Sequence, residues 1–420
     1  MHLKLISLLG LFTMIGLAWA CSLNRKRFPW RTVWTGLALQ LLFAVAILKT
    51  DFGARAFGFA NAAVTRLLSF ANEGASMVFG PLANTALLTE KWGAENAAIF
   101  AVIVTTTIIL VSSVSSLLYH YGILQAIVRA MALVMQRAMR TSGSESLAAA
   151  ANIFMGQTEA PLVVKPYLAR MTRSELLALM ISGMATIAGG VLAVYVAFGQ
   201  RAGRTDMAGH LITASFMSAP AALLIAKVML PEIEQSETVA GASAKTEREA
   251  TNGIDALCRG ASEGMMLSIN VIAMLIAFVA VVALVNFLLG YPQTLFGVAV
   301  PVTLQNIFGW LNAPFAWLLG VPWKDCVTVG QLMGERIVLN EFIGYLSLSQ
   351  RAAELDSRSF ILATYALCGF ANFSSIAIQI SGIGALAPNR RADLAQLGLR
   401  AMVGGLLACY MTACVVGMLI

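Results

Sequence analysis

Stretches of roughly twenty predominantly apolar residues, long enough as α-helices to cross the ~30 Å hydrocarbon core of a bilayer, recur near residues 3–20, 32–49, 97–118, 174–200, 208–230, 265–289, 358–384 and 394–419. A chain with that pattern does not fold around one water-shielded core. In lipid every backbone polar group must be satisfied internally, which leaves helices or a closed barrel, and runs of this length select helices. Composition agrees: 59% of the 420 residues are hydrophobic and 12% charged, against about 25% charged in soluble domains. The expected fold is an all-α integral membrane protein with about eight transmembrane helices.

The net charge of +7 would suit a nucleic-acid partner, but the basic residues gather in short loops. Arg25, Lys26, Arg27 and Arg31 follow the first run, Arg129, Arg137 and Arg140 follow the third, and Arg390 and Arg391 precede the last. Positive charge beside the cytoplasmic ends of membrane spans explains this placement, so membrane lipid is the expected partner and nucleic acid is not. An even number of spans then puts both termini outside the cytoplasm, as in a multi-pass plasma-membrane protein. The first run ends Ala18-Trp19-Ala20-Cys21, which has the look of a signal-peptide cleavage site. A signal peptide carries its positive charge ahead of the apolar run, whereas here Lys4 stands alone in front and four basic residues follow. The run is expected to be a first transmembrane helix.

Between the spans, residues 51–73 put Phe52, Phe57, Val64, Leu67, Leu68 and Phe70 toward one side of a helix and Asp51, Arg55, Arg66 and Glu73 toward the other. That pattern suits a helix lying in the membrane interface, and residues 121–140 behave similarly. Residues 231–253 are the clearly hydrophilic stretch, a solvated loop by composition. The six cysteines show no C-x-x-C spacing and the three histidines lie far apart, so no soft-metal centre is expected; the cysteines read as small core residues.

Residues 144–170 do not fit a span. The stretch NIFMGQTEAPL at 152–162 carries Asn, Gln, Thr and Glu among apolar neighbours, and Gly156 and Pro161 interrupt any helix. Arms of about 13 residues reach only ~20 Å, which predicts a re-entrant helical hairpin with its tip near mid-membrane. Residues 327–351 share this character, with Asn340 and Glu341 inside an apolar run. The first hairpin is followed by Thr172-Arg173-Ser174 and an apolar helix interrupted at 183–190; the second by Ser357-Arg358-Ser359 and one interrupted at 369–375. Two such units predict an inverted repeat with a binding site at the midplane. The expected organisation is scaffold helices and an interfacial helix at 1–119, a first transport-domain repeat at 120–230, a polar loop and scaffold span at 231–290, and a second repeat at 291–420.

Ionisable residues at membrane depth are functional candidates, because an Asp at a helix centre costs about 2.5–3.5 kcal/mol; Glu159 and Glu341 lead here. Carboxylates, amides and hydroxyls, with no arginine contributed by the motifs for an anionic group and Lys165 away from the tip, favour a neutral ligand rich in hydroxyl and N–H groups and disfavour anionic ones. An intramembrane enzyme using the two glutamates as acid and base is a rival, but no G-x-S-x-G and no histidine lies in the motifs. A purely structural or receptor-like protein would have no use for polar broken helices.

GQTEAPL (156–162), ATIAGG (185–190), NEFIGY (340–345) and CGFANFSSIAIQI (368–380) closely resemble, in order, the signature stretches of concentrative nucleoside transporters. The resemblance implies a sodium-coupled symporter that takes up nucleosides, working as a homotrimer with a mobile transport domain in each protomer and no organic cofactor. Proton coupling, which the family also contains, is the alternative. It implies that Gln157, Thr158 and Glu159 read the base, with Val191 in apolar contact. Glu341, Asn372 and Ser375 would hold the ribose, with Phe370 nearby. Sodium would be held by the side chains of Asn152 and Thr186 and by backbone carbonyls of Asn152, Thr186 and Ile187. Chemically, Gln both donates and accepts, and an ionised Glu accepts from N–H or paired hydroxyls.

Overall fold

A computed structural model describes residues 2–93, 99–239 and 250–420. The first two residues of the expected third run and the middle of the hydrophilic stretch, 240–249, lie outside the described residues. Helices account for nearly all regular structure, with no strand among the described residues.

The helices α1 (His2–Ala20) and α2 (Trp30–Leu48) are the first two expected spans. The next, α3 (Asp51–Phe79), is opened by Thr50, whose hydroxyl accepts from the Gly53 N–H at 2.9 Å. Its apolar side covers the core only in part. Val64 and Leu68 pack on the main core and Phe57 meets the His210 ring edge-on at 5.1 Å, but Phe52 is 80% exposed. Then follow α4 (Thr85–Trp92), α5 (Phe100–His120) and α6 (Ile123–Met139).

The segment expected to be a hairpin starts with α7 (Gly143–Ala151), runs through non-helical residues 152–159, and continues in α8 (Ala160–Val163) and α9 (Lys165–Leu168). A reciprocal cap between Ser142 and Glu145 begins its first arm. The second arm is only two single turns, because Pro161 and Pro166 cannot donate to the helical ladder; length alone had suggested two even arms. The helices α10 (Arg173–Ala185) and α11 (Gly189–Arg201) form one interrupted helix, capped at its start by Thr172 and Glu175. After α12 (Met207–Met229) comes α13 (Gly253–Leu295), 43 residues long and begun well before the expected 265. The last third comprises α14 (Leu304–Leu318), α15 (Cys326–Val338), α16 (Glu341–Gln350), α17 (Ser357–Leu367), α18 (Phe373–Leu386) and α19 (Arg391–Leu419).

Seven segments of the described residues are long and apolar enough to cross a membrane, with α10 and α11 counted as one. The seventh expected run, 358–384, is divided between α17 and α18 by the non-helical residues 368–372. At the centre lies α19, packed against α1, α10, α12, α17 and α18. By contrast, α13 is buried over only 11% of its most apolar window and packs chiefly along α5. Small residues at four-residue intervals, Ala256, Gly260, Gly264 and Ser268, permit that approach. A methyl group on Gly260 would lie 2.5 Å from the Ser112 carbonyl oxygen, and one on Gly264 2.8 Å from Ile109 Cα.

The base of the first hairpin is anchored by a buried ionic network. Lys227 Nζ lies 2.7 Å from Glu145 Oε2 and 3.3 Å from Glu232 Oε2 and donates to Ser174 Oγ at 2.8 Å. Glu175 Oε1 accepts from the hydroxyls of Ser142, Ser144 and Ser236 at 2.5, 2.8 and 2.6 Å. Backbone joins in, the Gly143 N–H donating to Thr238 O at 2.8 Å. The polar residues after α12 are thus a strap over the hairpin base up to residue 239.

Candidate functional site

The four interruptions in the helical ladder meet. The break in α10–α11 crosses the break in α17–α18 so closely that a methyl on Gly369 would lie 2.7 Å from the Met184 carbonyl oxygen. The first hairpin's tip joins them through the Gly189 N–H, which donates to Phe154 O at 3.2 Å. The second hairpin turns at Leu339 and Asn340; the Asn340 side chain accepts from the Ile343 N–H at 3.0 Å and so starts α16 with Glu341 as its first residue. Asn372 does the same for α18, accepting from the Ser375 N–H at 2.9 Å. Helix starts aimed at this point favour a negative group there, and Glu341 supplies one.

A continuous hydrogen-bonded chain runs through the meeting point. Glu341, 5% exposed, accepts at Oε1 from the Tyr195 hydroxyl at 3.1 Å and at Oε2 from Asn372 Nδ2 at 3.2 Å. Asn372 is linked to Ser375 by its capping bond. Ser375 Oγ accepts from Gln157 Nε2 at 3.0 Å, and Gln157 Oε1 accepts from Gln379 Nε2 at 3.1 Å. Both hairpins and both broken helices contribute a member. Four residues singled out from the sequence, Gln157, Glu341, Asn372 and Ser375, are therefore brought together in one buried network.

The other candidates border it. Thr158 and Glu159 are exposed, and Glu159 Oε2 accepts from the Gly156 N–H at 2.7 Å, closing the turn at the tip. Phe370 is half-buried two residues before Asn372, whose N–H donates to Phe370 O at 2.9 Å. Val191 is buried in the first turn of α11.

Asn152 and Thr186 are the C-caps of α7 and α10, two helices that pack on each other, and Ile187 follows Thr186 in the break. Asn152 caps α7, its Nδ2 donating to Ala148 O at 3.0 Å, which leaves the amide oxygen as the available ligand atom. Thr186 Oγ1 donates to Ser182 O at 3.1 Å and lies 2.9 Å from Ser218 Oγ. The Ser182 hydroxyl is buried without a hydrogen-bond partner, and Ile187 is fully buried. The hydroxyls of Thr186, Ser182 and Ser218 and the open carbonyls at the ends of α7 and α10 are the polar groups here, and helix C-termini favour positive charge. No cluster of His, Cys, Asp or Glu able to hold a metal occurs among the described residues.

Sequence reasoning missed three residues here. Tyr195 and Gln379 bind members of the network but read as apolar-helix residues until the helix breaks are located. The third is an arginine. Arg336 lies five residues before Glu341, is fully buried, and donates to Ala366 O at 2.6 Å, Gly369 O at 3.1 Å and Cys409 Sγ at 3.2 Å. Its donors satisfy the open C-terminal carbonyls at the α17 break, so it shapes the site without offering charge to a ligand. An arginine in an apolar run was the available signal.

Comparison with known proteins follows the same lines. The sequence matches a family profile described as Na+ dependent nucleoside transporter C-terminus over residues 210–417, its N-terminus counterpart over 9–82, and a profile described as Nucleoside recognition over 101–202. An uncharacterized transporter of Bacillus subtilis is 42% identical over 414 residues, 98% of either chain. Sodium/nucleoside cotransporter 1 of Rattus norvegicus is 38% identical over 99% of this chain, which spans 64% of that longer relative. CNTnw in an inward-facing substrate-bound state superposes with a TM-score of 0.90 at 38% identity, covering 99% of this chain and 97% of that one. A doubly substituted CNTnw in an outward-facing state gives 0.91 at 37% identity over 100% and 98%.

Proposed function

The chain belongs to the family of concentrative, sodium-dependent nucleoside transporters, which are not enzymes, and from that premise we propose that it is a sodium-coupled symporter carrying nucleosides into the cell by an elevator movement. The observation that carries this reading is the buried chain from Tyr195 through Glu341, Asn372, Ser375 and Gln157 to Gln379. It is a strip of amide, carboxylate and hydroxyl groups suited to a ligand with hydroxyls at one end and a ring bearing donors and acceptors at the other. Glu341 accepts from the ribose hydroxyls in charge-assisted bonds, each worth about 1.5–3 kcal/mol, aided by Asn372 and Ser375. Gln157, Thr158 and Glu159 read the base, with Val191 in apolar contact, and Phe370 lies beside the ribose.

Sodium is treated as co-transported cargo. The carbonyls of Asn152, Thr186 and Ile187, the Asn152 amide oxygen and the Thr186 hydroxyl are its ligands, and the unpartnered Ser182 hydroxyl adds an oxygen to this setting. One sodium ion moving down ~100 mV gains about 2.3 kcal/mol, and a tenfold gradient adds about 1.4. Together these hold nucleoside several hundredfold above its outside level. The hairpins 144–170 and 327–351 are re-entrant and open to opposite sides. They move, with their broken helices and the strap of residues 231–239 that anchors the first hairpin's base, against a scaffold of residues 1–119 and 250–290 in a homotrimer of a bacterial inner membrane, with both termini outside.

Purified protein in proteoliposomes should accumulate labelled uridine under an inward sodium gradient and not under choline. Glu341→Gln should lower that uptake at least about tenfold, since a neutral amide weakens two charge-assisted bonds, while leaving a folded oligomer. Accumulation driven by protons alone would transfer the coupling to the proton-symport alternative. Wild-type rates from the variant would remove Glu341 from the site.

A further inference from the structure

The network described above is closed at each end by a residue from the opposite repeat. Ala188 is the N-cap of α11, and Tyr195 stands seven residues after it; Asn372 is the N-cap of α18, and Gln379 stands seven residues after it. Seven residues make two helical turns, so each side chain falls on the same helix face as the break itself. Tyr195 belongs to the first repeat and bonds Glu341 of the second; Gln379 belongs to the second and bonds Gln157 of the first. Both are buried, at 0% and 1% exposure.

Their chemistry fixes orientation. Gln379 Nε2 donates at 3.1 Å to Met180 O as well as to Gln157 Oε1. A backbone carbonyl only accepts, so Met180 decides which end of the Gln379 amide faces inward. Gln157 must then turn its oxygen to Gln379 and its NH2 toward Ser375. That leaves Gln379 Oε1 buried without a partner, a cost consistent with the bond to Gln157 having a purpose. Gly183 makes room, since a methyl there would lie 2.7 Å from Gln379 Nε2. At the other end, the Tyr195 ring stacks on Tyr345 at 4.3 Å and meets Phe342 edge-on at 5.0 Å. Its hydroxyl is thereby held against Glu341 Oε1 while Asn372 holds Oε2. One lone pair of each oxygen is occupied and the carboxylate plane is set, leaving a lone pair on each for a pair of hydroxyls.

We propose that Tyr195 and Gln379 are a symmetry-related pair of positioning residues, Tyr195 setting the plane of the Glu341 carboxylate for ribose recognition and Gln379 setting the amide orientation of Gln157 for base recognition. The proposal rests on the nucleoside reading given above. Its test uses the full-length protein in proteoliposomes, measuring half-saturation for uridine and half-inhibition of uridine uptake by cytidine and by 2′,3′-dideoxyuridine. Tyr195→Phe keeps the ring and removes the hydroxyl; it should raise the uridine value about three- to tenfold and the dideoxy value less than about twofold. Gln379→Met keeps the volume and removes the donors, with Gln379→Glu as a second variant should Met disturb folding. Either should change the uridine-to-cytidine ratio about three- to tenfold and preserve the uridine-to-dideoxyuridine ratio. Equal losses for all three ligands would reduce both residues to structural hydrogen bonds and overturn the pairing. A wild-type protein that takes up uridine while the variants keep every ratio sinks this proposal alone; a wild type that takes up none sinks the nucleoside reading and the proposal with it.

Discussion

Glu341 and Arg336, five residues apart, are both buried, yet they do different things because of what their partners can donate or accept. Glu341 is bonded by two neutral donors that leave it lone pairs for a ligand. Arg336 has Ala366 O, Gly369 O and Cys409 Sγ as acceptors. Replacing Arg336 with Met would strand two buried carbonyls at about 1–3 kcal/mol each. We expect Arg336→Met to lower the melting temperature of the purified protein by about 2–7 °C, read by tryptophan fluorescence on heating; an unchanged melting temperature would show that the carbonyls find other partners. The glutamate was legible in the sequence because a carboxylate in an apolar run demands a reason. The bonds that distinguish a binding carboxylate from a structural guanidinium were not, because they join residues tens to hundreds of positions apart.

At the scale of elements, the interruptions were readable because their causes are local. Pro161 lacks an N–H, and Asn340 and Asn372 cap the helices that follow them, an arrangement their short side chains favour. Less readable was the unequal second arm of the first hairpin, which depends on Pro166 as well. The early start of α13 was hidden by polar residues between 253 and 264 that sit on a helix packed through small residues. That packing is testable. Gly260→Leu puts a branched side chain where even a methyl would lie 2.5 Å from the Ser112 carbonyl oxygen, so α13 and α5 must separate. Such overpacking typically costs about 1–3 kcal/mol, and we expect Gly260→Ala already to lower the melting temperature and Gly260→Leu to lower it further; an unchanged melting temperature in both would discount the close approach.

For the whole molecule, α13 is the exposed apolar surface that most needs covering. Leu284, Phe287, Leu288 and Leu295 are 56–70% exposed along it, and lipid or neighbouring protomers are what can cover such a surface in a membrane. We expect the purified protein in mild detergent to give three chain masses by native mass spectrometry; a single chain mass under conditions that preserve uptake would remove the trimer from the proposed mechanism.

The sequence by itself determined the all-helical membrane class and the place of each helix break and pointed to Gln157 and Glu341, because bilayer thickness, missing N–H groups and the cost of burying polar atoms act over short stretches of chain; Asn372 and Ser375 were indicated by the family resemblance of 368–380. Only the tertiary structure decided that the two breaks cross, that Arg336 is spent on open carbonyls, and that Tyr195 and Gln379 reach across the repeats. Those are contacts between segments distant along the chain, and their geometry comes from how whole helices pack.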